Sequence, residues 1–156
     1  MCIRDRLTTD HTLTTQVQYV ARVKVTRSAS IAAAHFHVST AGSSVTGGTV
    51  DVWDDTGKRI GSAPISTALS TTGSKAVPLA VPNRTAGEYL YVGLRAIFTG
   101  TAPKILGVGG SPNLGVSGAS SRYATYGTSL SSLTSITPAA LAVTGPGEPS
   151  PWVGLS

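Results

Sequence analysis

The fold is decided by residues 88–98, which read Glu-Tyr-Leu-Tyr-Val-Gly-Leu-Arg-Ala-Ile-Phe. Side chains alternate in character along this stretch: Tyr89 and Tyr91 fall on one side, whereas Leu90 and Val92 fall on the other. Because successive side chains of a β-strand point to opposite faces, the alternation predicts a strand with one fully apolar face. Its length and apolarity favour a central position in a sheet.

Shorter stretches with the same alternation surround this strand in the sequence. The sequence Asp-Asp-Thr-Gly at 54–57 is typical of a tight turn between two paired strands. Pro78 predicts an edge strand, because proline has no N–H to donate to a neighbouring strand. About eight or nine short strands, separated by turn signals, predict an all-β protein with an antiparallel β-sandwich. The expected strands, besides 88–98, lie at 18–25, 31–39, 49–53, 58–63, 74–81, 104–108, 122–126 and 152–155.

One domain is expected, preceded by an arm. Residues 7–17 are polar and rich in threonine without a clear period, so residues 1–17 are predicted to form a disordered or linker arm. Residues 18–156 are predicted to form the β-sandwich domain. Residues 1–6 read Met-Cys-Ile-Arg-Asp-Arg and resemble translated sequencing-adapter read-through. We therefore exclude them from the fold and expect the natural protein to extend further upstream.

Composition excludes several classes of protein. Charged residues make up 12% of the chain, and there are 21 threonines and 19 serines, which is unlike a coiled coil or helical bundle. The net charge of +5 comes from scattered basic residues without a long run, so we expect no nucleic-acid partner. No apolar run of about 18 residues occurs, which argues against membrane insertion. Cys2 is the only cysteine, so the chain has no internal disulfide.

Two histidines, His35 and His37, share one face of a predicted strand because they are two residues apart. Imidazoles in this arrangement can bind a metal ion, but a closed site needs further ligands. No Asp, Glu or Cys accompanies the pair in the sequence. We therefore predict no metal site, keep His35 and His37 as the one candidate pair, and favour a solvent or interface face for them.

The acidic residues Asp51, Asp54 and Asp55 form a single cluster. A glycosidase needs two carboxylates on opposite sides of a cleft, whereas Asp54 and Asp55 are explained by the chemistry of the turn that contains them. The sequence also lacks a Gly-x-Ser-x-Gly nucleophile motif, a phosphate-binding P-loop and a dinucleotide-binding fingerprint. We predict that the chain is not an enzyme, with no catalytic residues and no cofactor.

Aromatic side chains beside loops are the best candidates for contacting a glycan, because their rings can stack on sugars. Tyr126 and Trp152 lie next to predicted loops, and Asn113 lies within the Gly/Ser-rich loop 109–121. We expect Tyr126, Trp152 and Asn113 to contact a receptor or glycan. The other large aromatic residues are expected to fill the core or a subunit interface.

Several segments, taken in their order along the chain, carry a family resemblance. They are 19–23, 37–42, 52–61, 86–94, 122–125, 136–139 and 152–155. In this order they resemble the carboxy-terminal β-sandwich domain of tail fibre and minor tail proteins of phages that infect actinobacteria. The resemblance implies a non-enzymatic virion structural protein with a jelly-roll-like fold, often trimeric, which contributes to host-surface attachment. It implies no catalytic residues.

The same resemblance implies partners and a location. The partners would be a host cell-surface glycan or cell-wall polymer and other tail proteins, and the location would be the phage tail of a virion made in the host cytoplasm. An alternative from another class is a carbohydrate-binding module of a secreted bacterial hydrolase. Both kinds of domain are β-sandwiches, so the fold alone does not separate them.

The predicted strand 31–39 has one face of mixed character, formed by Ile31, Ala33, His35 and His37. This face is too apolar at one end for free solvation and too polar at the other for a core. A symmetric subunit interface would suit it, because such interfaces combine an apolar centre with a polar rim. We therefore predict a homotrimer with residues 31–37 near the interface and loop 109–121 exposed.

Overall fold

The computed structural model describes residues 7–108, 124–126, 135–136, 142–143, 150–151 and 154–156. Within these residues the chain is almost entirely β-structure, with a single short helix. In the part of the chain so described, no helix is long and apolar enough to span a membrane. The elements are β1 (Leu7–Thr12), β2 (Gln18–Lys24), β3 (Ala29–Thr40), β4 (Val45–Trp53), β5 (Arg59–Pro64), α1 (Ser66–Leu69), β6 (Gly73–Arg84), β7 (Tyr89–Phe98), β8 (Lys104–Val108), β9 (Ala124–Tyr126), β10 (Ala142–Val143), β11 (Ser150–Pro151) and β12 (Gly154–Leu155).

The eight longer strands form two antiparallel sheets of four. The first sheet has the order β1-β8-β3-β6, and the second sheet has the order β2-β7-β4-β5. This pairing of strands across two facing sheets is the strand order of a jelly roll. The short strands extend the sheets: β11 and β12 join the first, and β9 and β10 continue the second beyond β2. The prediction of an antiparallel, jelly-roll-like β-sandwich is confirmed.

The core lies between the two sheets and follows the alternation seen in the sequence. Strand β7 pairs with β2 on one side and β4 on the other, which confirms its central position. Its inward side chains pack with those of the other strands in one large cluster. Burial of each large aliphatic or aromatic side chain stabilises the fold by about 1.5–3 kcal/mol. The cluster includes Phe36, Val38, Val50, Val52, Leu79, Val81, Leu90, Val92 and Leu94.

The predicted arm is wrong for residues 7–17, because these residues belong to the folded domain. Strand β1 pairs with β8 over its whole length, and Leu13 donates its N–H to the carbonyl of Pro103. Leu13 is 1% exposed and Val17 is 8% exposed, both within the core cluster. The sequence pattern does not predict this strand because its pairing is with β8, which is distant along the chain.

The predicted face of strand β3 also needs correction, because a β-bulge interrupts the strand. Ala32 and Ala33 both donate their N–H groups to the single carbonyl of Ser156, at 2.6 and 3.0 Å. Two residues of β3 therefore oppose one residue of the facing chain, which reverses the side-chain alternation. Ile31 turns into the core at 9% exposure while Ala32 faces outward. Ile31 thus does not share a face with His35 and His37.

Strand β6 lies at the edge of the first sheet, as Pro78 predicts: within the described ranges it pairs only with β3. One prediction falls beyond these ranges, because the loop 109–121 lies outside the described residues. Of the predicted strands at 122–126 and 152–155, the structure describes β9 and β12.

Candidate binding surfaces

Asp54 organises the turn between β4 and β5. One of its carboxylate oxygens accepts hydrogen bonds from the Thr56 N–H at 3.0 Å, the Thr56 hydroxyl at 2.6 Å and the Lys58 N–H at 3.0 Å. Partial burial raises the pKa of Asp54, but these hydrogen bonds and the Lys58 charge outweigh it, so the pKa lies below its ordinary value. Its hydrogen bonds give Asp54 a structural role in the hairpin.

Asp51 is buried on the outer side of the second sheet, at 1% exposure. Its carboxylate accepts hydrogen bonds from the hydroxyls of Thr49 at 2.6 Å and Ser62 at 2.7 Å, and pairs with Arg59 at 3.4 Å. Strand register brings this group together, because Asp51 lies opposite Ser62 on β5. The four side chains join β4 to β5, so Asp51 also has a structural role.

His35 and His37 lie half-buried on the outer side of the first sheet. The His35 Nε2 lies 2.7 Å from the Ser156 hydroxyl, and the His37 Nδ1 lies 3.1 Å from the Ser74 hydroxyl. No group of three or more His, Cys, Asp or Glu side chains with metal-binding geometry occurs among the residues the structure describes. Their nearest polar partners are therefore serine hydroxyls, which are not an effective ligand set for a transition metal.

A patch of small apolar residues extends from these histidines along the outer side of β3 and β6. We call it the alanine–proline face, formed by Ala32, Ala33, Ala76, Pro78, Ala80 and Pro82. The outward residues of β6 are exposed at every second position, and Ala33 and His35 lie opposite Pro78 and Ala76. A shallow apolar groove runs along this face beside the bulge. It replaces the predicted face of residues 31–37 as the candidate subunit interface.

A second exposed patch lies on the outer side of the second sheet, where β2 and β7 pair. Register places Arg22 opposite Tyr91 and Lys24 opposite Tyr89. The Arg22 guanidinium carbon lies 3.8 Å from the centroid of the Tyr89 ring, and the Lys24 Nζ lies 5.9 Å from it. Both distances are within the range of cation–π interactions. We call these four residues the Arg22–Tyr89 surface.

Part of this outer side, next to the Arg22–Tyr89 surface, is covered. Gln18, Val20 and Trp53 are fully buried, and Ile136 packs against Val20 and Trp53 in a small separate cluster. Gly93 lies in the middle of the covered half, where a Cβ would collide with Gln18 and Trp53. The Arg22–Tyr89 surface therefore lies beside a covered part of this face.

Of the three predicted contact residues, Tyr126 lies within the described part of the chain. The backbone of Tyr126 lies in β9, opposite Gln18 at the start of β2. Trp152 and Asn113 lie outside the described residues. The sequence alone does not predict the Arg22–Tyr89 surface, although Arg22 and Lys24 are two residues apart in the predicted strand 18–25 and therefore share a face. The missing information was the long-range pairing of β2 with β7.

Comparison with models of protein families and with curated protein sequences finds no match to this chain.

Proposed function

We propose that the chain is a non-enzymatic structural domain of a phage virion, in a tail fibre tip or minor tail protein, that contributes to host-surface attachment. The observation that carries this proposal is the strand order β1-β8-β3-β6 facing β2-β7-β4-β5. Jelly rolls of this kind occur in viral capsid domains, in lectin domains and in cupins. The order also agrees with the fold implied by the resemblance to actinobacteriophage tail proteins.

The environment of the acidic residues supports a non-catalytic role. Asp51 is buried and shared among Thr49, Ser62 and Arg59, and Asp54 is engaged by the backbone of its own turn. A general acid or nucleophile must reach a substrate. The hydrogen bonds of Asp51 and Asp54 instead hold both carboxylates against groups of their own hairpin. The proposal therefore assigns the domain to binding.

The alanine–proline face supports assembly with further copies of the chain. Its small side chains permit close approach of a second backbone, and its rim carries His35 and His37. An exposed row of Ala76, Pro78 and Ala80 on an edge strand is unusually apolar for a solvated surface. We propose a homotrimer in which this face lies at the subunit interface.

The alternative function is a carbohydrate-binding module of a secreted bacterial hydrolase, because lectin-type domains use the same strand order. The two functions predict different neighbours on the DNA. We expect the reading frames on either side of this coding sequence to encode tail and tape-measure proteins. A glycoside hydrolase fused to or adjacent to the domain would overturn the proposal and support the alternative.

A further inference from the structure

We propose that the Arg22–Tyr89 surface binds a phosphodiester-linked glycan, a polymer of sugars or polyols joined by phosphates, on the host surface. This inference rests on the proposed attachment function and names the chemical class of its receptor. Four residues carry it: Arg22 and Lys24 on β2, and Tyr89 and Tyr91 on β7. They lie together on the exposed end of the second sheet.

The two cations are placed to pair with successive anions. Arg22 and Lys24 are both exposed and lie on the same side of β2, two residues apart. Alternate residues of a strand are about 7 Å apart, so their charged groups can contact neighbouring phosphates of an extended polymer. Among the residues described, neither cation has an acidic side chain within ion-pair distance, whereas Arg59 on β5 pairs with Asp51.

Tyr89 holds these cations in a defined position. The Arg22 guanidinium carbon lies over the ring, 3.8 Å from its centroid, and this cation–π contact restrains the guanidinium beside Tyr89. A guanidinium held in this way loses less side-chain entropy when it binds a phosphate. Tyr89 and Tyr91 are half-buried near the start of β7, the strand that lies between β2 and β4.

The geometry favours a phosphodiester glycan over nucleic acid. Single-stranded nucleic acids bind by stacking bases on open aromatic faces along an extended basic groove. Here the Tyr89 ring face is occupied by Arg22, and the surface offers only two cations in the described residues. A polymer with flexible polyol or sugar units between phosphates needs no base stacking, because the cations contact its phosphates alone.

The test measures binding of the 156-residue chain to poly(glycerol phosphate), with polygalacturonate, dextran and a single-stranded oligothymidylate as competing probes. We expect poly(glycerol phosphate) to bind most tightly, with an affinity that falls as salt is added because the contact is ionic. The double variant R22A/K24A should bind it about tenfold or more weakly, which corresponds to the loss of charge-assisted hydrogen bonds. Y89L should weaken binding about threefold while Y89F binds as the parent does.

The matched control is K75A/K104A, which removes the same charge from β6 and β8 of the first sheet. Its binding should stay within about twofold of the parent. Binding is compared only among variants whose urea midpoints and sedimentation match those of the parent. An equal loss in both double variants would show attraction by net charge alone and would overturn the inference. Tighter binding of the oligothymidylate or of polygalacturonate would overturn it as well.

Failure of this inference is distinguishable from failure of the attachment function. If actinobacterial cell walls retain the chain but poly(glycerol phosphate) does not bind, the receptor class is wrong and attachment stands. If R22A/K24A binds walls as the parent does, the surface is wrong and attachment again stands. If neither walls nor polymer bind the chain, both proposals fail.

Discussion

Arg22 stacks its guanidinium on the ring of Tyr89, with 3.8 Å between the guanidinium carbon and the ring centroid. This contact joins a short strand near the start of the domain to the central strand of the second sheet. It also places positive charge beside the part of this face that Gln18, Trp53 and Ile136 close. The proposed attachment surface thus depends on the pairing of β2 with β7.

Removing the buried carboxylate of Asp51 should destabilise the hairpin strongly. We expect Asp51→Ala to lower the free energy of unfolding by about 2–4 kcal/mol, because Thr49, Ser62 and Arg59 lose their common partner. Asp51→Asn keeps the shape and should cost less. Urea unfolding measures the change. Asp55→Ala, at an exposed position in the turn that follows β4, should stay within about 0.5 kcal/mol of the parent. An equal effect of both alanine variants would contradict the assigned role of Asp51.

Asp54 should make stability depend on acid pH. Its pKa is lowered in the folded chain relative to the unfolded chain, so the ionised form stabilises the fold at neutral pH. This contribution is lost as the pH falls through the folded pKa, below the ordinary value of an aspartate. We expect Asp54→Asn to be less stable than the parent by about 0.5–1 kcal/mol at pH 7, and the gap to narrow near pH 3. Urea midpoints at both pH values test this, and a gap that widens in acid would contradict it.

The outcome for Leu13 tests whether residues 7–17 belong to the domain. Leu13 is 1% exposed and packs in the main core, so Leu13→Ala should lower the free energy of unfolding by about 2–5 kcal/mol. Thr14→Ala, at the exposed neighbouring position, is the control and should change stability by less than about 0.5 kcal/mol. If Leu13→Ala unfolds like the control, residues 7–17 behave as an arm after all.

A charge on the alanine–proline face should block assembly. Ala76 lies exposed opposite His35 in the middle of this face, so a glutamate there would bring a charge into the apolar interface of the trimer. We expect the parent to sediment as a trimer and Ala76→Glu as a monomer. Ala86→Glu makes the same change at an exposed turn position and should remain trimeric. A monomeric parent, or a trimeric Ala76→Glu variant, would overturn the proposed interface.

The sequence predicts the parts of this fold that depend on local pattern. The sequence predicts strand β7 because the apolar face of this strand is buried along most of its length. Pro78 predicts an edge strand because a proline has no N–H to donate to a second neighbouring strand. The sequence does not predict strand β1, because this strand is held by backbone pairing with the distant strand β8. The bulge at Ala32 and Ala33 depends on the carbonyl of Ser156, and the local sequence pattern does not predict this contact between distant residues.

The candidate surfaces were less predictable for the same reason. The sequence placed Arg22 and Lys24 on one strand face and Tyr89 and Tyr91 on another, but their contact requires the register of two distant strands. Regular alternation along β3 would place Ile31 on the same face as His35, but the bulge puts the two side chains on opposite faces. Pairing between distant strands decides which side chains meet, and single-strand patterns contain no information about it.

Retention on host cell walls is the most direct test of the central claim that this domain is a non-enzymatic attachment module. The 156-residue chain is mixed with isolated cell walls from a panel of actinobacteria and centrifuged, and the supernatant is assayed for protein and for released saccharide. We predict that walls of at least one host remove the chain from the supernatant without release of saccharide. Release of saccharide with binding, or retention by none of the walls, would contradict the account.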